Sequence, residues 1–161
     1  MEQSISAIIL TYNEELNLEN CLKSIADLVL EIIIVDSGST DKTLEIAKRY
    51  GAKIYTHPFV NQAEQFNWAL DNIQIAGDWI LKLDADEYIL PELAEEIRKV
   101  LPETPPEITG FYMKRRVYFM GRWIHYGGYY PVWFLRLWRS GIGRSENRKM
   151  DEHIILLKGK A

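Results

Sequence analysis

The stretch EIIIVDSGSTDKT, residues 31–43, decides the fold class of this chain. It begins with a continuous apolar run, which is typical of a β-strand that is covered on both faces of its sheet. Asp36 ends the run, and small polar residues then lead into a helical pattern over residues 40–50 that stops at Gly51, a common helix-ending residue. Strand, polar loop and helix in this order indicate one unit of a parallel α/β fold.

The same unit recurs along the first two-thirds of the chain. We predict strands over residues 4–10, 31–36, 52–57 and 78–83, and helices over residues 14–28, 40–50, 62–73 and 91–101. This alternation predicts a mostly parallel, Rossmann-like sheet with right-handed crossovers, in which ligands gather at the carboxyl ends of the strands. Polar residues follow three of the strands, so we expect three loops to meet at one edge: residues 11–14, 36–40 and 84–87.

Composition and charge divide the chain into two parts. Its 161 residues are 47% hydrophobic, which suits one globular domain with a real core. Residues 1–110 hold 20 acidic and 8 basic side chains, whereas residues 111–149 hold 9 basic side chains, 1 acidic side chain and 11 of the 19 aromatic residues. A shift this sharp indicates a change of task. The pattern also changes there, and it predicts a hairpin with Gly121 near its turn, followed by further strands.

Cysteine usage and hydropathy exclude several classes of protein. The single cysteine, Cys21, excludes an internal disulfide framework and falls on the apolar face of a predicted helix. No apolar run approaches the roughly 20 residues of a membrane span. The first apolar run, residues 5–10, is too short for a signal peptide and lacks a basic start. We therefore expect neither a leader nor a membrane span in this sequence.

The stretch WILKLDADEYIL, residues 79–90, holds the strongest chemical signal. Apolar residues almost surround Lys82, and three acids then follow within four positions. Carboxylates repel one another and are costly to desolvate, so a positive partner is expected beside them. Asp84 and Asp86 form an Asp-x-Asp triplet, whose oxygens can hold a divalent cation and leave positions open for phosphate. The alternative is an acidic cluster that caps the helix starting at Pro91, a role that suits Glu87.

The loop after residue 35 offers a second binding element. Asp36 and the backbone donors of residues 37–40 have the chemistry to grip a ribose or a base edge. The sequence has no Gly-x-Gly-x-x-Gly and no Gly-x-x-x-x-Gly-Lys-Ser/Thr motif. A dinucleotide fingerprint is therefore absent, and a phosphate-cradling loop of the nucleoside-triphosphatase kind is disfavoured.

Three segments together resemble family 2 glycosyltransferases of the GT-A fold: AIILTYNEELNLENCLKSI (7–25), EIIIVDSGSTDKTLEIAKRYGAKIY (31–55) and GDWILKLDADE (77–87). The branch that they resemble builds bacterial lipopolysaccharide core and other cell-surface glycans. The resemblance implies an inverting transfer from a nucleotide-sugar donor, first of all a UDP-sugar, with Mg²⁺ or Mn²⁺ as the cofactor. It implies nucleotide contacts from Thr11, Tyr12, Asn13, Glu14, Asp36, Ser37, Gln65 and Asp84, and metal contacts from Asp84, Asp86 and His153.

The sequence departs from the family pattern at two places. In QAEQFNWAL, Gln65 and Asn67 match the family, but Phe66 stands where arginine or lysine is common. KMDEHI resembles the closing motif of the family, in which a glutamate acts as the general base. Its register favours Glu152 as the catalytic base, with Asp151 as the second candidate. His153 is displaced by one position, so it is either a metal contact or a half-buried strand histidine.

The resemblance extends these expectations to the whole chain. It implies one GT-A-like domain over residues 1–161, with a nucleotide-sugar-binding half (1–101) and a hairpin-rich acceptor half (107–161). Relatives run on for about one more helical segment, so we expect either a C-terminally truncated chain or a natural short form. The basic aromatic region, residues 111–149, has three interpretations: a platform for a glycan or lipid-linked acceptor, a peripheral contact with the inner face of the membrane, or a hairpin with solvated arginines.

Two other functions remain open at this point. A short chain is consistent with a nucleotide-sugar-binding module that has little transferase activity. A nucleotidyltransferase also uses carboxylates and a metal on an α/β sheet, but it would accept a nucleoside triphosphate and release pyrophosphate. The acidic body argues against a nucleic-acid partner. The favoured interpretation is a cytoplasmic, metal-dependent glycosyltransferase of cell-envelope polysaccharide biosynthesis.

Overall fold

The computed structural model describes residues 3–128, 130–146 and 153–161. The helices are α1 (Leu18–Ile25), α2 (Thr43–Arg49), α3 (Gln62–Asn72) and α4 (Pro91–Val100), with a 3₁₀ turn at Leu101–Glu103. The strands of the first half are β1 (Ile5–Thr11), β2 (Glu31–Asp36), β3 (Lys53–Thr56) and β4 (Trp79–Asp84). The strands of the second half are β5 (Gly110–Arg115), β6 (Tyr118–Phe119), β7 (Arg122–Trp123), β8 (Val132–Arg139), β9 (Gly143–Ser145) and β10 (Ile154–Leu156).

One six-stranded sheet organises the fold, in the order β3-β2-β1-β4-β8-β5. The first four strands in this order are mutually parallel, which confirms the predicted α/β sheet. Strand β8 is antiparallel to both of its neighbours, β4 and β5. The second half of the chain thus enters the same sheet as the first half, while β6–β7 and β9–β10 form two small ribbons.

Apolar side chains cover both faces of the sheet, as the continuous apolar strands predict. Helices α1, α2 and α4 pack on one face, where Leu22, Ile46 and Ile97 join the strand residues in one core. Helix α3 packs on the other face with Phe66 and Trp138, and the β9–β10 ribbon adds Ile154 there. Burial on both faces holds the carboxyl ends of the parallel strands in fixed positions.

The first two helices start later than predicted, because the residues before them form the loops of the sheet edge. Helix α1 begins at Leu18 rather than at residue 14, and α2 begins at Thr43 rather than at residue 40. Asn13 has a φ angle of 53°, and the backbone N–H of Glu14 donates to Thr43 Oγ1 over 2.8 Å. The left-handed conformation of Asn13 excludes a helical start at that residue, and the bond from Glu14 to Thr43 ties the two loops to each other.

A β-bulge interrupts the pairing of β5 with β8. Phe111 pairs with Leu137 and Tyr112 pairs with Leu135, which leaves Arg136 as the extra residue of β8. Bulges bend a strand and re-aim the side chain of the extra residue. The pairing of β4 with β8 stops at Leu81 and Leu137, so the Arg136 side chain lies where the two strands separate.

Candidate active site

The acidic turn after β4 forms the centre of the candidate site. Asp84 is the last residue of the strand, and Glu87 folds back over it. The backbone N–H of Asp84 donates to Glu87 Oε2 over 3.1 Å, and the backbone N–H of Glu87 donates to Asp84 O over 2.9 Å. Glu87 therefore belongs to the turn itself rather than to the first turn of α4, which begins four residues later at Pro91.

Two buried cations of the same chain neutralise this turn. Arg136 Nη2 donates to Asp84 Oδ2 over 3.0 Å and to Glu87 Oε1 over 2.7 Å. Lys82 Nζ lies 3.4 Å from the other oxygen of Asp84. The positive partner that the sequence demands is thus supplied within the chain. We expected a cation at this place but did not identify Arg136, because the bulge breaks the alternation of β8 by which side chains are assigned to faces.

The pKa values of the two carboxyl groups in this cluster, Asp84 and Glu87, shift in opposite directions. Burial works to raise the pKa of Asp84, but Lys82 and Arg136 outweigh it and hold that pKa below its ordinary value. Burial raises the pKa of Glu87 above its ordinary value, and the charge of Asp84 adds to the effect. Asp84 is therefore the firmly ionised member of the pair, as a carboxylate between two cations should be.

Asp84 and Asp86 fit a divalent cation of the Mg²⁺ or Mn²⁺ type. The side chain of Asp86 is exposed, and Asp84 keeps 38% of its side-chain surface. Such ions need only one or two carboxylates when water and substrate phosphates complete their shell. Among the described residues, no three His, Cys, Asp or Glu side chains gather as a metal site. The two aspartates would therefore hold the ion together with a phosphate-bearing ligand.

Asp36 organises the neighbouring loop with both of its oxygens. Its Oδ1 accepts hydrogen bonds from Thr11 Oγ1 (2.8 Å) and Ser39 Oγ (2.6 Å), and its Oδ2 accepts from the backbone N–H groups of Gly38 and Ser39, both at 2.8 Å. Burial opposes ionisation, but these hydrogen bonds lower the pKa of Asp36 below its ordinary value. Asp36 and Thr11 are both buried. They shape the loop after β2, and their placement gives no support to direct nucleotide contact.

The loop residues after β1 lie closer to solvent. Asn13 Oδ1 accepts from the backbone N–H of Thr40 over 2.8 Å, and the Asn13 N–H donates to Ser39 Oγ over 2.8 Å. Tyr12 is 60% exposed, and Glu14 is half-buried. Their placement gives Tyr12 and Glu14 surfaces that a nucleotide can reach. Asn13, in its left-handed conformation, ties the β1 loop to the β2 loop.

Gln65 is fully buried on α3 and connects the β2 loop to the end of β3. Its Nε2 donates to Ser37 Oγ over 2.9 Å, and its Oε1 lies 3.1 Å from His57 Nδ1. Asn67, the other residue that matches the family here, exchanges two hydrogen bonds with the backbone of Ser145, both at 2.9 Å. Phe66 is buried against Trp138. Phe66 therefore belongs to the core and leaves this helix without a cation at that position.

Of the predicted base candidates and the neighbouring histidine, only His153 belongs to the described residues. Asp151 and Glu152 lie outside the described residues. His153 is exposed, with its backbone oxygen bonded to the N–H of Glu146 over 2.8 Å. It lines a small cavity of about 200 Å³ together with Lys82 and Arg136, the two cations that contact Asp84. The chain thus returns to the acidic turn just after the predicted base.

A larger groove of about 920 Å³ opens beside the acidic turn. Helix α4 forms one wall, and β5 and β8 form the other. Aromatic and charged side chains line it, among them Tyr88, Tyr112, Trp133, Lys114, Arg115 and Glu96. The rings of Tyr88, Tyr112 and Trp133 are each about half exposed. The groove combines open aromatic faces with hydrogen-bonding groups of both charges, and this combination suits a sugar.

Sheet order, crossovers and the acidic turn define the GT-A fold. The chain belongs to glycosyl transferase family 2, whose sequence profile matches residues 6–155. It is 34% identical over 94% of its length to the lipopolysaccharide core biosynthesis glycosyltransferase LpsC of Rhizobium meliloti, of which it covers 57%. The matches cover only part of these curated relatives, from 27% of the length of one to 57% of the length of another.

Solved structures share the same fold. A mannosyltransferase from Pyrobaculum calidifontis in complex with GDP-Man and Mn²⁺ has a TM-score of 0.58 at 23% identity, with coverage of 71% of this chain and 36% of that one. Glucosyl-3-phosphoglycerate synthase of Mycobacterium tuberculosis, crystallised with Mn²⁺, UDP and glucosyl-3-phosphoglycerate, has a TM-score of 0.51 at 26% identity. That comparison covers 67% of this chain and 42% of the synthase.

Proposed function

We propose that this chain is the donor-binding and catalytic part of an inverting glycosyltransferase. It transfers a sugar from a nucleotide diphosphate, a UDP-sugar in the first place, to a glycan or lipid-linked acceptor in cell-envelope polysaccharide biosynthesis. We place its work at the cytoplasmic face of the membrane. Residues 1–101 carry the nucleotide-sugar half, and residues 107–161 carry the acceptor half.

One observation carries the proposal: the acidic turn at the carboxyl edge of the parallel sheet, with Asp84 fixed between Lys82 and Arg136 and Asp86 left exposed. This edge is where ligands of open α/β sheets bind. Family membership and the UDP and Mn²⁺ of the mycobacterial synthase support a nucleotide donor with a divalent ion. LpsC, named for lipopolysaccharide core biosynthesis, supports a glycan acceptor.

The residues of the chain divide the work as follows. Asp86 and Asp84 would hold the ion, which would supply positive charge to favour departure of the nucleoside diphosphate. Tyr12, Glu14 and the loop shaped by Asp36 receive the nucleoside. The groove between α4 and β5 receives the acceptor with its hydroxyl directed at the acidic turn. Glu152, or Asp151 in its place, takes the proton of that hydroxyl, a step worth roughly 10²–10⁴-fold in rate.

A calorimetric titration tests the donor site. UDP and then GDP are titrated with Mn²⁺ and again with EDTA, and we expect metal-dependent binding of one of them. Asp86→Asn should lose the metal-dependent binding, because it removes an exposed carboxylate that ligates the ion, while the unfolding temperature stays unchanged. The matched control is Asp27→Asn, at an exposed position just after α1. Equal affinity in wild type and Asp86→Asn would contradict the site assignment.

The same material separates the transferase from the binding module. Release of free sugar or transfer to an acceptor extract, abolished by Glu152→Gln but with UDP affinity retained, is the outcome expected of the transferase. Full nucleotide binding with no turnover under any acceptor supports the binding module. Consumption of a nucleoside triphosphate with release of pyrophosphate would instead indicate a nucleotidyltransferase.

A further inference from the structure

The β6–β7 hairpin presents an unusual apolar tip. Phe119 pairs with Arg122, and only Met120 and Gly121 lie between them. Both turn residues have positive φ angles, 49° and 75°. A two-residue hairpin turn of this type favours asparagine or aspartate followed by glycine. Methionine at the first position adopts an unfavourable left-handed backbone conformation, and the requirements of the turn do not explain this choice of residue.

The side chains at this tip face solvent. Met120 is 87% exposed and Phe119 is 66% exposed, and Tyr126, which follows the hairpin, is 86% exposed. Exposed apolar residues that cluster, rather than occurring singly, mark interaction sites. The strained backbone of Met120 places an apolar side chain at the point of the hairpin that projects furthest from its two short strands.

Basic side chains surround the apolar tip. Lys114, Arg115, Arg116 and Arg122 are all exposed, and the sequence holds no Asp or Glu from residue 108 to residue 145. Arg116 stacks 4.7 Å from the centre of the Trp123 ring. Lys114 lies 4.8 Å from the centre of the Trp133 ring. This stacking holds Arg116 and Lys114 beside the hairpin. Within the described ranges, a contact of 3.7 Å between Arg116 and Glu92 is the one ion pair that these four cations form.

We infer that the β6–β7 hairpin is the surface through which this chain meets an anionic lipid bilayer. A bilayer offers negative charge in its headgroup layer and an apolar layer below it, in the same order as the basic collar and the apolar tip. Each Lys or Arg near an anionic membrane contributes about 1 kcal/mol, or roughly fivefold in partitioning. Aromatic side chains with a polar group favour the interface itself, which suits Tyr118 and Tyr126.

The charge of this surface favours an anionic occupant. Four cations stand within a few residues of the tip, and the sequence holds no Asp or Glu from residue 108 to residue 145. The inference deepens the proposed membrane-side location, and it adds a consequence for the acceptor. Tyr118 lines the 920 Å³ groove, so a bilayer at the hairpin would lie beside the mouth of that groove. No helix in the described ranges is long and apolar enough to cross a membrane.

Vesicle co-sedimentation tests the inference without any measurement of activity. The 161-residue chain is spun with vesicles of phosphatidylcholine alone and with vesicles of phosphatidylcholine mixed with phosphatidylglycerol, at low and at high salt. We expect binding to the anionic vesicles only, weakened at high salt, where charges beyond a few ångströms are screened. Equal binding to both vesicles, or to neither, would overturn the inference.

The double variant Phe119→Thr/Met120→Asn tests the role of the tip in binding without disturbing the fold. Threonine suits the strand, and asparagine suits the left-handed turn, so thermal stability should not fall. Binding to anionic vesicles should fall by at least about tenfold, because two exposed apolar side chains are lost. Leu16→Asn is the matched control, since Leu16 is 86% exposed elsewhere on the chain. Arg122→Gln should weaken binding to anionic vesicles about fivefold. Lys99→Gln, the control for this charge change, should leave that binding unchanged.

Two results would show that this surface does not bind a membrane. If the double variant leaves vesicle binding unchanged, the hairpin is not the membrane contact. If it abolishes a concentration-dependent dimer and vesicles do not compete, a second copy occupies the surface, and the inference fails. Because UDP titration is independent of lipid, a chain that binds nucleotide but not vesicles contradicts only this inference, whereas a chain that binds vesicles but no nucleotide contradicts only the proposed function.

Discussion

Arg136 is the residue that holds the candidate site together. It is a buried cation that shares one nitrogen between two carboxylates, and it lies on the extra position of a bulge. An arginine suits this role better than lysine, because a planar guanidinium reaches two acceptors in fixed directions. We therefore expect Arg136 to position Asp84 before any ligand binds, while Asp86 remains exposed for the ion.

Replacement of Arg136 tests this positioning role. Arg136→Met leaves two carboxylates without the cation that they share, and we expect a loss of about 2 kcal/mol of unfolding free energy, below the cost for a fully buried pair because Asp84 keeps solvent contact. Nucleotide affinity in Mn²⁺ should fall as well, with partial recovery in Arg136→Lys. The measurements are urea unfolding and UDP titration on the same samples.

Arg144→Met is the matched control for Arg136. Arg144 also bonds a carboxylate, with two contacts of 2.7 Å and 2.8 Å to Asp71, but this pair is exposed. Exposed pairs contribute about 0–1 kcal/mol. Equal losses of unfolding free energy in Arg136→Met and Arg144→Met would contradict the view that burial at the bulge strengthens the Arg136 contacts.

Asp36 makes a prediction about pH. Its pKa in the folded chain lies below the ordinary value of 3.8, so its stabilisation is fully present above that value and is lost as pH falls through the lower, folded pKa. Asp36→Asn should cost about 1.5–3 kcal/mol at neutral pH, since a buried charged acceptor is removed. The difference in unfolding free energy between wild type and variant should shrink in acid. A difference that stays constant with pH would refute the assignment.

At the scale of elements, the turn into β4 depends on a close backbone contact. A Cβ added at Gly77 would lie 2.5 Å from the backbone nitrogen of Ser6 and 2.8 Å from the carbonyl carbon of Ile5. These are backbone atoms of β1, which cannot move without disturbing the β1–β4 pairing. Gly77 thus sets how closely the strand that carries Asp84 approaches its neighbour.

Gly77→Ala should therefore destabilise the fold by about 1–3 kcal/mol, the usual cost of overpacking. Ala76→Ser provides the control, because it adds one atom at the adjacent, exposed position and should change stability by less than about 0.5 kcal/mol. Thermal unfolding of the two variants decides the matter. A Gly77→Ala protein as stable as Ala76→Ser would show that the strands can separate without cost.

At the scale of the whole molecule, β8 joins the two halves of the chain. It pairs with β4 of the first half and with β5 of the second, and its Leu135, Leu137 and Trp138 enter the two cores. The two halves of the chain are therefore parts of one sheet, although their charges have opposite signs.

A fragment of residues 1–106 should not fold by itself. It would expose the edge of β4 and leave cavities where the β8 side chains pack, losses that exceed the usual margin of stability of about 5–15 kcal/mol. Near-ultraviolet circular dichroism and denaturant titration provide the measurement, with the 161-residue chain as reference. A cooperative unfolding transition in the fragment would show that the first half of the chain is an independent domain.

Much of this architecture could be predicted from sequence, because it depends on local patterns. Continuous apolar strands, helix spacing and glycine stops are properties of neighbouring residues, and they predicted the parallel sheet and the three polar loops at its edge. Helix starts were predicted too early, since hydrogen bonds between Glu14 and Thr43 and between Asn13 and Thr40 join loops that are distant in sequence.

Local sequence patterns thus specify the sheet, its carboxyl edge and the acidic residues that lie along it. Which charges meet at that edge depends on how the strands are assembled. Arg136 lies 52 residues from Asp84, and its contact depends on the order of the strands and on one extra residue in β8. Likewise, the burial of Asp36 and the exposure of Met120 follow from what packs around them. Local pattern specifies elements, whereas the pairing of distant side chains arises only when the elements are assembled.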